Sequence, residues 1–131
     1  MSEVEDLLLE LERLDRRDRG PFPYEGCRRA KAQDREGVFE NLIPDLDLYF
    51  SDIAGYRSSG KRILRWSEEK LDEARQRLAR TFFDRHPIYV SLQSLRREDA
   101  PDLFERMHET ERARVVLLRL IEALQSTKAH R

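Results

Sequence analysis

The stretch Gly55-Tyr56-Arg57-Ser58-Ser59-Gly60-Lys61-Arg62 has the G-x-x-x-x-G-K spacing of a phosphate-binding loop. Such a loop works because glycine-rich backbone amides wrap the phosphates, the lysine reaches the outer ones, and a serine or threonine after the lysine holds magnesium. Arg62 stands at that last position, and a guanidinium cannot replace a metal-ligating hydroxyl. The loop also needs a buried strand before it and strand–helix units after it, and the sequence has no alternating strand pattern. We therefore read the stretch as a turn between helices. Gly55 would relax a helix C-terminus, and Ser58 or Ser59 would cap the next helix.

Other residue groupings are incomplete in the same way. Glu105 and His108 form a Glu-x-x-His element that puts both side chains on one helix face. Di-iron bundles use two such elements plus two inward glutamates, and no second one is present here. His86 follows Asp84 near an expected helix end and His130 lies in the tail, so neither supplies a convincing third ligand. Cys27 is near Arg28, Arg29 and Lys31, cations that lower a thiol pKa when they lie close to it. A base is missing, because the histidines are far away in sequence. Asp45, Asp47 and Asp52 suggest a hard-cation site, yet the helical period splays Asp45 and Asp47 about 200° apart. The expectation is no catalytic residue, no metal and no cofactor, and a non-catalytic protein ahead of an enzyme.

The charge layout is more informative. From Gly37 to Ala54 the chain carries Glu40, Asp45, Asp47 and Asp52 with no lysine or arginine, and from Tyr56 to Trp66 it carries Arg57, Lys61, Arg62 and Arg65 with no carboxylate. Tyr56, Arg57, Lys61, Arg62, Arg65 and Trp66 are accordingly the expected partner-binding residues. These cations either pair with the acidic block, meet a protein partner, or contact nucleic-acid phosphates while the aromatics stack. The whole chain has 25 cations, 26 anions and a formal net charge of -1, which removes any global electrostatic case for nucleic acid or an acidic membrane. The reading is a small adaptor, regulator or inhibitor-like protein with a protein partner of unknown identity. A nucleic-acid-binding regulator using residues 57–65 is the alternative, and an unrecognised enzyme or metal protein comes third.

The elements that must position these residues follow from periodicity. A length of 131 residues points to one domain. The chain is 39% charged and 39% apolar, a densely ionic surface with enough apolar material for a core. A lone cysteine excludes an intrachain disulfide and fits a reducing compartment. The acidic start MSEVEDLLLELE is unlike a secretory signal, and the longest apolar runs fall far below the roughly 20 residues of a membrane span. A soluble cytoplasmic protein without a membrane partner is expected.

Ser2-Glu3-Val4-Glu5 reads as a capping box opening a helix over 2–18, with Val4, Leu7, Leu11 and Leu14 as its apolar stripe. That stripe can bury against its own bundle or against a second copy, so a homodimer is expected. A proline–glycine linker over 19–26 follows, anchored by Phe22 and Tyr24. Asp34 is placed to cap a second helix through Phe39, Leu42, Ile43, Leu46, Tyr49, Phe50, Ile53 and Tyr56, with a kink or restart at Pro44. Ser67 caps a third helix carrying Leu71, Ala74, Leu78 and Phe82, with Ile63, Leu64 and Trp66 in an earlier turn of it. Residues 88–95 have strand-like composition but no partner strand, and are read as a short helix. Pro101 opens the last helix, whose Val115–Leu124 portion is apolar nearly all round and so should lie centrally. The chain reads as an all-α compact bundle of about four to six helices.

Overall fold

The computed structural model describes residues 2–17, 22–34, 37, 39–80 and 97–129. Within them the fold is all-α, with five α-helices, two 3-10 segments and no strand. The expected helix over 88–95 lies outside the described residues.

Helix α1 spans Glu3–Arg17. Ser2 Oγ accepts the Glu5 amide at 3.2 Å, the serine half of the expected capping box, and satisfies one of the four amides that a helix start leaves orphaned. Leu7, Leu11 and Leu14 are buried in the core, and the helix packs on the last one, α5 (Pro101–Ala129). The stripe is thus buried within the chain, so α1 does not require a second copy for that purpose.

The next helix, α2 (Tyr24–Ala32), corrects the sequence reading. The linker was expected to run through Gly26, but Tyr24, Glu25 and Gly26 form the first turn of α2, and Pro23 is its N-cap residue. Pro23 has no side-chain oxygen with which to cap, and the missing acceptor comes from another helix: Asp102 Oδ2 takes the Gly26 amide at 3.2 Å. Phe22 anchors the segment as expected, its ring 5.8 Å from that of Phe50 and 4.7 Å from that of Tyr24.

Asp34 does cap a turn, its carboxylate accepting the Phe39 amide at 2.7 Å, but the helix itself starts later. Helix α3 spans Leu42–Ser59 with Asn41 as its N-cap. The expected restart at Pro44 holds, because the proline sits in the first turn, where its lack of an N–H costs no hydrogen bond. The end falls within the expected Gly55–Gly60 stretch, but Gly55 is not where the helix stops. The helix runs on to Ser59 and ends at Gly60, whose φ of 50° is the left-handed conformation that glycine adopts without a Cβ clash. Nor do Ser58 and Ser59 cap a following helix, since both hydroxyls donate back to the Gly55 carbonyl, at 2.9 and 3.4 Å.

A 3-10 segment, Gly60–Arg65, then carries the fully buried Ile63. It is separate from α4 (Glu68–Ala79), which Ser67 caps by accepting the Lys70 amide at 3.2 Å. A short 3-10 turn, Arg97–Asp99, leads into α5. At about 1.5 Å per residue this last helix is roughly 44 Å long, and it packs against each of the other four. Leu103, Met107, Ala113, Val116, Leu117, Leu120 and Ile121 are all buried, so the nearly all-apolar stretch is central as expected. Among the described residues, no helix is long and apolar enough to cross a membrane.

Candidate functional site

The basic turn divides into parts with different tasks. Arg57, expected among the partner-binding residues, is only 6% exposed. Arg62 is exposed but folds back: its Nη2 donates to the Ser58 carbonyl at 3.0 Å and its Nε to the Ser59 carbonyl at 3.3 Å. Those carbonyls lie at the end of α3, so Arg62 compensates the acceptors and the partial negative charge of that terminus. Lys61 and Arg65 remain exposed. Tyr56 and Trp66 meet edge to face with ring centroids 6.4 Å apart, and Lys70 Nζ sits 4.6 Å from the Trp66 ring centre. Burial is the main cause that raises the Tyr56 pKa above its ordinary value. The two aromatics are half-buried bracing for the turn rather than free stacking platforms.

Of the acidic block, Asp52 pairs with Arg77 of α4, Oδ1 to Nη2 at 3.0 Å. The residues opposite the turn come from α1. A cleft of about 540 Å³ is lined by Glu5, Leu8, Leu9, Leu11 and Glu12 on one side and by Arg57, Ser58, Gly60 and Lys61 on the other. Its α1 wall is leucine with a carboxylate at each end, and its other wall is polar with Lys61 at the rim. No sequence-local signal announces this meeting, because the two walls lie more than forty residues apart along the chain.

A second polar arrangement is equally invisible in the sequence. The Tyr49 hydroxyl donates to Glu111 Oε1, Arg114 Nε donates to Glu111 Oε2 at 3.0 Å, and Arg114 Nη1 donates to the Leu78 carbonyl at 2.6 Å. Arg114 therefore closes the C-terminal turn of α4 while its charge neutralises Glu111. Tyr49 and Arg114 are both buried. Burial first, then the bond to Glu111, drive the tyrosine pKa well above its usual value. The phenol is a donor that locks α3 to α5 and is not poised to give up its proton. The only local trace of this network is the i, i+3 pair Glu111 and Arg114, which ends the charged part of α5 just before its apolar stretch.

The remaining motifs are dispersed. Glu105 and His108 are both exposed on α5, and among the described residues no group of three or more histidine, cysteine, aspartate or glutamate side chains is placed to hold a metal ion. Cys27 is fully buried. Burial, reinforced by the Asp102 charge, pushes its thiol up to about 11 against the opposing effect of Lys31. The neighbouring cations thus do not create a reactive thiolate.

No curated protein and no solved structure matches the chain. The stretch that does match a known family runs from Leu9 to Leu118, taking in most of α1, the basic-turn wall of the cleft with Leu9, Leu11 and Glu12 of its other wall, and the Tyr49–Glu111–Arg114 network. On that match over residues 9–118, the chain belongs to the YxiJ-like protein family.

Proposed function

We propose that this protein is a small non-catalytic helical module that works by protein–protein contact, as an adaptor, regulator or inhibitor-like protein in a reducing, cytoplasmic compartment. The observation that carries the reading is the composition of the cleft between α1 and the basic turn. Its leucines supply apolar area for a partner, and Glu5 and Glu12 stand across from Lys61. Carboxylates on the facing wall repel phosphates, whereas a protein surface with charges of both signs can complement them. Self-association belongs to the same reading.

The nucleic-acid alternative is disfavoured by the number of cations left to it. With Arg57 buried and Arg62 bound to the end of α3, Lys61 and Arg65 remain as phosphate contacts. Two contacts would give a log–log salt slope of only about -1.8, and correspondingly weak binding. The test is fluorescence anisotropy with labelled duplex and single-stranded probes across a salt series. Negligible binding at about 150 mM salt is expected. Submicromolar affinity there, collapsing in both Lys61→Glu and Arg62→Glu, would replace the protein-contact reading with the nucleic-acid one.

A further inference from the structure

We infer that the occupant of the cleft is a second copy of this protein, docked about a two-fold axis so that the α1 crest of each protomer lies in the cleft of the other. This inference rests on the protein-contact reading and names its partner.

The crest is Leu9. It is 41% exposed and lies on the ridge between two grooves, lining both the cleft toward the basic turn and a second groove of about 620 Å³ toward His108, Glu109 and Arg112 of α5. A leucine held out on a helix whose Leu7, Leu11 and Leu14 are already buried is not needed by the protein's own core. Beside it lies the half-buried Leu8 of the same helix, in a cleft that the buried Leu11 also lines. Knob and receptacle are therefore neighbours on one surface, and a two-fold interface requires such self-complementarity, because each patch must receive its own copy.

The charges satisfy the same requirement. Glu5 and Glu12 flank the crest on α1, and Lys61 stands on the opposite rim. A two-fold axis through the cleft brings the Glu5 and Glu12 edge of one protomer toward Lys61 of the other, and the reverse, so both rims are complemented at once. An occupant with one sign of charge would satisfy one rim and be repelled by the other. The second copy supplies both signs and the leucine without any further assumption.

The test exploits this reciprocity with two variants. The all-acidic variant carries Lys61→Glu, and the all-basic variant carries Glu5→Lys with Glu12→Lys. Each alone puts like charges across both halves of its own interface, while the mixed pair has opposite charges across both. Circular dichroism first confirms that each variant is folded. Sedimentation equilibrium of the parent over about 1–200 µM should show a monomer–dimer equilibrium. Each variant alone should self-associate at least about tenfold more weakly, and an equimolar mixture should regain the parent's affinity to within about threefold. Leu9→Glu in the parent should dissociate the dimer without changing the helical signal.

A parent that stays monomeric over the whole range overturns the second-copy inference alone. The protein-contact reading would then still stand or fall by the anisotropy test above. A parent dimer that persists in both charge variants, with no preference for the mixed pair, also overturns the inference and moves the contact elsewhere, to a face such as that of α3 carrying the exposed Leu48.

Discussion

Replacing Gly26 by alanine should destabilise this protein, although alanine is the better helix former. Gly26 lies in the first turn of α2 where it crosses the start of α5. A Cβ at that position would sit 2.5 Å from Asp102 Oδ1, 2.6 Å from Leu103 Cβ and 3.2 Å from the Leu103 nitrogen. Carbon contacts are comfortable at about 3.5–4.0 Å, so α2 would have to retreat by roughly 1 Å. That retreat strains the bond from the Gly26 amide to Asp102, now 3.2 Å, and loosens Cys27 and Ala30, which are buried beside it. Overpacking costs about 1–3 kcal/mol, and weakening a hydrogen bond to a charged acceptor adds up to about 1.5–3 kcal/mol. The gain in helix propensity is about 1 kcal/mol. The net expectation is a loss of about 1–3 kcal/mol, or a fall in Tm of roughly 4–11 °C for a chain of this size. Gly55→Ala is the internal control. Gly55 also lies within a helix, but a Cβ there meets nothing within 4 Å, so the same substitution should stabilise by up to about 1 kcal/mol. Thermal and urea unfolding followed by circular dichroism read both. If Gly26→Ala proves as stable as the parent, the close α2–α5 crossing is not a constraint and the reasoning is wrong.

Arg114→Met should cost about 2–3 kcal/mol, at the lower end for breaking a buried pair because Glu111 keeps partial access to solvent; a loss below about 0.5 kcal/mol in urea unfolding would show that the network does not hold α4 to α5. Tyr49→Phe should cost about 1–2 kcal/mol in the same assay, since it removes the phenol donor to Glu111 and leaves the ring in place. The Cys27 thiol is raised from 9.0 to about 11 in the folded state. Its contribution is therefore complete below pH 9.0 and is lost as pH rises from 9.0 through about 11. The stability difference between the parent and Cys27→Ala should shrink across that interval and be flat below it, and a flat difference throughout would contradict the burial-driven shift. A thiol reagent at neutral pH should label Cys27 only as fast as the protein opens, so labelling as fast as that of an unfolded control would show the thiol to be accessible.

The sequence alone determined those features that depend on near neighbours. Ser2 and Glu5, or Ser67 and Lys70, are three residues apart, and a helix start brings such pairs together whatever surrounds them. The leucine stripe of α1 and the apolar stretch of α5 were likewise legible, because a period of 3.6 residues defines a face before any partner is known. Pro44 marked a kink or a restart, and the fold takes the restart, with α3 beginning at Leu42 just before it. Helix α2 was invisible for the complementary reason. It has nine residues, too few to be stable alone, and the acceptor that caps it and most of the surface that buries it come from α5.

Tertiary structure alone decided the fate of each charge. Arg57, Lys61, Arg62 and Arg65 are equivalent in a string of letters, yet the fold buries the first, turns Arg62 back onto the end of α3, and leaves Lys61 and Arg65 exposed. The acidic block offered several partners of equal standing, and packing chose Arg77 for Asp52. Tyr49 meets Glu111 across 62 residues, and Arg114 meets the Leu78 carbonyl across 36. Contacts of that span are fixed by which helices share a core, and the cleft facing Lys61 forms where packing on α5 and on the 3-10 segment holds α1 beside the end of α3.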